Sequence, residues 1–162
     1  MHRLGDEAQT VIGAGVTTTA WALTTASFYI VQNPHIQKKL QAELRAAFPD
    51  LNAVGTLTLQ QLEQLPYLRG CVREGVRLSH GVTARLPRLM DDPVAYQDWV
   101  IPPHTPVSMT ITDVHLDEAI YPKANEFIPE RWMNNPRAPD GSSLDSYFVS
   151  FGKGPRMCLG IK

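Results

Sequence analysis

Cysteine is scarce in this chain. Only Cys71 and Cys158 occur in 162 residues, too few for a disulfide framework or a zinc site, which points to a reducing compartment. Neither sign of charge is in surplus: 15 Lys and Arg stand against 16 Asp and Glu, for a net charge of −1. That balance, without a basic cluster, gives no support for nucleic acid as a partner. The opening Met1-His2-Arg3-Leu4-Gly5-Asp6-Glu7 lacks the apolar run of a signal peptide, and the sequence has no internal repeat. Charge is missing altogether between Glu7 and Lys38, a stretch long enough to span a bilayer. Thr10, Thr17, Thr18, Thr19, Thr24, Thr25 and Ser27 lie inside it, so a buried helix is the better reading than a lipid-facing one. What remains is an ordinary globular balance, 43% hydrophobic and 19% charged, with length enough for one sizeable core.

The most informative stretch is Phe151-Gly152-Lys153-Gly154-Pro155-Arg156-Met157-Cys158-Leu159-Gly160. A lone cysteine in a loop is ordinarily a small buried hydrophobe. Here Gly154 and Gly160 free the backbone for left-handed or close-approach geometry, and Pro155 stiffens the segment between them. Successive N–H groups of such a loop can point at one sulfur, and Arg156 adds fixed positive charge; both favour thiolate. A thiolate held in this way suits axial ligation of a haem iron whose propionates need a cation.

Upstream, residues 6–32 predict one long helix, with Asp6 and Glu7 at its positive end and Asn33-Pro34 ending it. Val11, Ile12, Trp21, Leu23, Phe28, Tyr29 and Ile30 lie nearly all round it, as in a helix through the middle of a larger protein. Gly13-Ala14-Gly15 strips one turn of side chains, so something flat could approach the backbone, and Thr18 can return its hydroxyl to the Ala14 carbonyl. Plain helix packing through small residues explains the same pattern. Asn33 as N-cap and Pro34 as first residue open a second helix to Phe48, with Leu40 and Leu44 on its apolar face and Lys38, Lys39, Glu43 and Arg45 solvated. Thr58-Leu59-Gln60-Gln61 is a capping box opening a short helix to Gln64.

Residues 66–79 predict a further helix that places Glu74 and Arg77 on one face, a spacing that surface pairs also use. The period then changes to that of strands, over Thr83 to Met90, Asp98 to Ile101 and Pro106 to Thr110, a small sheet with hairpins within 83–110. A short helix is expected over Asp113 to Ala119. His115 in it reads as a hydrogen-bonded structural histidine and is assigned no chemistry. Asn134 to Ser146, rich in Pro, Gly, Asn and Ser, reads as surface loop.

Taken together these motifs resemble the cytochrome P-450 family. The cysteine loop matches every specified position of its haem-binding signature F-x-x-G-x-R-x-C-x-G. Ala14-Gly15-Val16-Thr17-Thr18 is similar to the family's oxygen-binding groove, with Thr18 on the oxygen-activating threonine and Thr17 where an acid is usual. Glu74 and Arg77 resemble its E-x-x-R pair, and Phe127-Ile128-Pro129-Glu130-Arg131-Trp132 resembles the segment whose arginine, here Arg131, completes a buried network. By the same resemblance Arg88 pairs with a haem propionate, while Val82, Thr83, Ala84 and Leu86 line the pocket above the haem. The resemblance implies a mainly α fold with a small β-sheet (α+β). It implies the C-terminal portion of that fold over 1–162: groove helix 6–32, E-x-x-R helix 66–79, sheet 83–110, meander and cysteine loop 120–160.

The resemblance further implies a haem b enzyme, with Cys158 as axial ligand and Arg156, Phe151, Gly154, Gly160, Ala14 and Gly15 around the cofactor. Such an enzyme inserts one oxygen atom of O2 into a small apolar substrate, with NADPH electrons from a reductase, as in fungal secondary metabolism. The full-length parent is expected at the cytosolic face of the endoplasmic reticulum membrane, through an N-terminal anchor absent from this stretch, and the chain reads as a fragment. Two alternatives stay open: a haem-thiolate isomerase or peroxide-using enzyme, which Thr17 in the acid position permits, and an inactive fragment that holds no haem stably.

Overall fold

The computed structural model describes residues 2–50 and 57–161. The uncharged stretch forms α1, His2–Gln32, one unbroken helix of 31 residues. It begins four residues earlier than the sequence suggests, so Asp6 and Glu7 lie inside it and its first turn carries no acid. Only one stripe is covered: Ala22, Thr25, Ala26, Tyr29 and Ile30, spaced three and four apart, are half-buried. Val11, Ile12, Val16, Leu23, Phe28 and Val31 are exposed. The all-round cover expected of such a helix in a larger protein is not supplied by the elements of this chain, which reach this one stripe. Among the described residues no helix is long and apolar enough to cross a membrane.

Pro34 opens α2, Pro34–Ala47, as a residue with no N–H to leave unpaired. Asn33 does not cap it by side chain; its Nδ2 donates back to the Tyr29 carbonyl at 2.7 Å and closes α1 instead. Ile36 is buried and Leu40 packs beside it. Glu43 is not simply solvated. Its two carboxylate oxygens accept the N–H groups of Tyr67 and Leu68, each at 2.8 Å. Those groups open α4, Pro66–Leu78, whose N-cap is Leu65 and has no side-chain acceptor of its own. A carboxylate from a neighbouring helix thus supplies both the missing acceptors and the negative charge that a helix N-terminus favours. Between them lies α3, Leu59–Glu63, opened by the capping box of Thr58 and Gln61.

Two apolar clusters flank α4. Ile36, Tyr67, Cys71, Leu78 and Phe127 form one, against Tyr29 and Ile30 of α1. Tyr121, Ala124, Trp132, Ala138 and Leu144 form the other. Cys71 is buried, and burial followed by the charges of Glu130 and Glu43 pushes its thiol up to about 12, which makes it inert. After α4 the chain reverses through His80 and Gly81, both left-handed at φ 58° and 51°.

The predicted sheet is much reduced. Among the described residues only β1, Val94–Tyr96, and β2, Trp99–Ile101, pair as strands, antiparallel with Tyr96 opposite Trp99. The expected strands over 83–90 and 106–110 meet in a single bridge, Arg88 to Val107. Prolines at 87, 93, 102, 103 and 106 remove ladder donors through this region, so pairing cannot propagate. The short helix expected over 113–119 lies earlier, as α5, Ile111–His115, opened by Thr110 and Asp113. The stretch from 134 to 146 is not wholly surface: Ala138 and Leu144 are buried, and Arg137 bridges to Ser143.

Candidate functional site

Glu74 and Arg77 of α4 meet the distant Arg131 in one charged cluster. The Glu74 carboxylate is fully buried and accepts five hydrogen bonds. Arg77 gives two of them, through Nε to Oε2 at 2.9 Å and Nη2 to Oε1 at 2.8 Å. Arg131 Nε donates to Oε1 at 2.9 Å, the Ile128 N–H to Oε1 at 3.0 Å, and the Trp132 indole Nε1 to Oε2 at 2.8 Å. Arg77, also fully buried, spends its remaining N–H groups on the carbonyls of His115, Ala124 and Glu126 at 2.7, 2.7 and 3.2 Å. All five guanidinium donors are therefore used. Buried charges so completely paired are costly to disturb and hold the segments they touch in one register.

The cysteine loop lies beyond the second apolar cluster. Its clamp is a short hydrogen bond, Cys158 N–H to the Phe151 carbonyl at 2.7 Å, which closes the loop across its ends. Gly152 and Gly154 take the left-handed conformation, φ 69° and 73°, with Gly154–Arg156 forming a 3-10 turn. Gly160 is not left-handed, and an added Cβ there would make only ordinary contact with Cys158 Sγ, at 3.8 Å. The Cys158 thiol is free and exposed. Among the described residues no N–H donates to its sulfur, so the expected cradle of amides is not formed. Arg156 is exposed and has no ion-pair partner among the described residues.

The other motif residues stand in open positions. Thr18 Oγ1 donates to the Ala14 carbonyl at 2.6 Å, while Thr17, exposed, has no partner among the described residues. An added Cβ at Gly15 would meet nothing within 4 Å. Val82, Thr83, Ala84 and Leu86 are exposed, and Arg88 Nη1 donates to the Leu86 and Pro87 carbonyls at 3.2 and 3.1 Å. Residues 79–81 join these parts. Trp21 Nε1 of α1 donates to the Ser79 carbonyl at 2.9 Å, and a side chain at Gly81 would lie 3.6 Å from the Ser150 carbonyl. Trp21 of α1 and the start of the cysteine loop thus both meet the chain where it leaves α4 for the 82–88 segment.

This donor set fits a haem. It offers a free exposed thiol on a clamped loop, exposed guanidinium groups at Arg156 and Arg88, and a helix surface bare of side chains at Gly15. His115 contributes structure: fully buried, it accepts the Val149 N–H on Nε2 at 3.2 Å. The sequence pattern did not mark Trp132 as a donor, nor Arg73 and Phe148 as its neighbours. The only signal was Trp where the family motif carries Phe.

The chain belongs to the cytochrome P450 family, whose description "Cytochrome P450" matches residues 1–162. It is 55% identical to cytochrome P450 monooxygenase sdnE of Sordaria araneosa, over 99% of this chain and 31% of that protein. Tryptophan 6-hydroxylase fscE of Fusarium equiseti is 44% identical over 99% of this chain and 31% of its own. Among solved structures, retinoic acid bound cyanobacterial CYP120A1 superposes with a TM-score of 0.78 at 28% identity, covering 94% of this chain and 33% of that one. The chain spans about a third of the length of these relatives. Its fold is mainly α with a small two-stranded sheet, a part of the cytochrome P450 fold.

Proposed function

We propose that the protein carrying this chain is a haem-thiolate monooxygenase that inserts one oxygen atom of O2 into a small apolar substrate of fungal secondary metabolism. The observation that carries this reading is the clamped loop that leaves Cys158 free and exposed behind Arg156. Cys158 would ligate haem b, with Arg156 and Arg88 pairing its carboxylates and Gly15 leaving room along α1. When bound, the haem supplies O2 activation, which a thiolate ligand favours by pushing electron density toward O–O cleavage. Thr18 commits its one proton to Ala14, so its oxygen serves first as an acceptor that orders water or a bound ligand. Val82, Thr83, Ala84 and Leu86 would present an apolar wall to the substrate. Two relatives bear hydroxylase names, tryptophan 6-hydroxylase and N-acetyltryptophan 6-hydroxylase, which supports insertion at C–H.

Electrons would come from NADPH through a reductase. A cleft beside the loop, lined by Arg69, Arg73 and Lys153 with Glu63 as its acid, suits an acidic partner surface. Membrane association at the cytosolic face of the endoplasmic reticulum, through an N-terminal anchor, belongs to the same reading. Thr17 in the acid position permits a second reading, a haem-thiolate isomerase or peroxide-using enzyme, which needs no delivered protons. Dependence of turnover on the reductase separates the two. Cys158→Ser should abolish the red-shifted Soret band of the CO-bound ferrous protein while Cys71→Ser keeps it. Retention of that band by Cys158→Ser overturns the assignment.

A further inference from the structure

An unbroken line of contacts runs from the buried carboxylate to the cysteine. Glu74 Oε2 takes the Trp132 indole N–H at 2.8 Å, which fixes the ring's orientation at its polar edge. The Phe148 ring meets Trp132 edge-on, centroids 5.2 Å apart at 75°. Phe148 in turn meets Phe151 at 6.2 Å and 63°. The carbonyl of Phe151 accepts the Cys158 N–H. Arg73 lies over both inner rings, 4.5 Å from Trp132 and 4.9 Å from Phe148, and pairs with Asp145 on the segment leading into the loop. Trp132 is buried, while Arg73, Phe148 and Phe151 line the cleft beside the loop, so the line of contacts runs from the core out to that wall.

We propose that Trp132 is a positioning residue that carries the register of the buried Glu74 carboxylate, through Phe148 and Phe151, to the backbone of Cys158. A Phe at this place would stack but could not be oriented by Glu74, because it has no donor. The indole does both, so the aromatic line is pinned at its inner end instead of floating on packing alone. The consequence for Cys158 as a haem ligand rests on the function proposed above; the consequence for the loop backbone does not.

Amide hydrogen exchange at Cys158 in the complete haem protein reads the clamp directly. Trp132→Ala is expected to raise it about tenfold beyond the rise at the Leu78 amide of α4, and Trp132→Phe about threefold, in line with the worth of buried aromatic contacts. Phe148→Leu, which leaves every Glu74 bond in place, should raise it as much as Trp132→Ala. Ile36→Ala, in the other cluster, should loosen Cys158 and Leu78 alike. The thiolate-type Soret band of the CO complex should decline in the same order as Cys158 protection. Equal rises at Cys158 and Leu78 in all variants, or no change in Phe148→Leu, would overturn the proposal. Should Trp132→Ala fail to fold, Trp132→Phe and Phe148→Leu decide it. Cys158→Ser retaining the Soret band would sink the ligand assignment alone and leave the exchange result standing.

Discussion

Ala26 of α1 lies so close to Gly75 of α4 that a Cβ added to Gly75 would stand 2.5 Å from the Ala26 Cβ. The two helices therefore cross at backbone contact, and the stripe of α1 that is covered is centred on this crossing. Glycine inside a helix ordinarily costs about 1 kcal/mol relative to alanine, so Gly75→Ala would stabilise an uncrossed α4. Here the added methyl overlaps a backbone-anchored neighbour, and overpacking costs typically 1–3 kcal/mol. Gly75→Ala is expected to lower the denaturant midpoint, and Ala26→Gly in the same chain to recover part of the loss. A stabilised Gly75→Ala protein would show that α1 does not pack there.

The Glu74 network predicts loss of folded protein. Removing the carboxylate leaves Arg77, which is fully buried, facing no anion, and breaking such a pair costs about 3–5 kcal/mol. Glu74→Ala should therefore yield little folded, haem-bound protein, and Arg131→Ala somewhat more, since Arg131 is partly exposed. Arg131 also holds the Pro122 and Lys123 carbonyls at 3.1 and 3.3 Å, so its loss should loosen residues 122–124 first. Full haem content with slowed turnover would point instead to a catalytic part for Glu74.

His115 makes stability depend on pH. Burial first, and the Arg77 guanidinium second, lower its pKa from 6.5 to about 4. Between these values the unfolded chain binds a proton that the native one refuses, so stability is complete above about pH 6.5 and falls as pH drops toward 4. The linked loss is about 3 kcal/mol across that window. His115→Gln keeps an acceptor for the Val149 N–H and cannot titrate, so its denaturant midpoint should fall less between pH 7.5 and 4.5 than that of the unchanged protein. Parallel pH profiles would remove His115 from the account.

The spacing of Glu74 and Arg77 on a single face, and of Phe151 through Cys158 in a loop, follows from local geometry; the helix starts at Pro34 and Pro66 follow from proline's fitness for a first helical position, and that at Leu59 from the Thr58 capping box. Contacts that depend on where another element lands left no local mark. Glu43 looks solvated within α2, yet its oxygens cap a helix 24 residues away. Trp132 looks like a hydrophobe, yet its N–H completes the Glu74 shell. The sheet is smaller than the pattern suggests because β-type residues over 83–110 favour strands, while the prolines among them deny the ladder its donors. The composition of α1 reports a preference for cover and says nothing of which neighbour provides it.

Thr17 and Thr18 differ in what they can do, and the difference is testable. Thr18 Oγ1 donates to Ala14 at 2.6 Å along an unbroken helix, so the Ala14 carbonyl is not left open for water. Thr17 keeps both its proton and its lone pairs. A hydroxyl can relay protons but cannot supply them by its own ionisation, and the usual acid is missing at position 17. On the monooxygenase reading, ordered water must carry the protons past Thr18. Thr18→Ala should then leave haem and substrate binding intact while product per NADPH falls about tenfold or more and hydrogen peroxide rises to match. Thr18→Ser, which restores a hydroxyl, should recover most of the coupling. Thr17 is exposed, so Thr17→Asp should fold normally and shrink the solvent deuterium isotope effect on turnover by supplying an acid. Unchanged product per NADPH in Thr18→Ala would count against proton delivery through α1, and turnover supported by peroxide without the reductase would then favour the second reading.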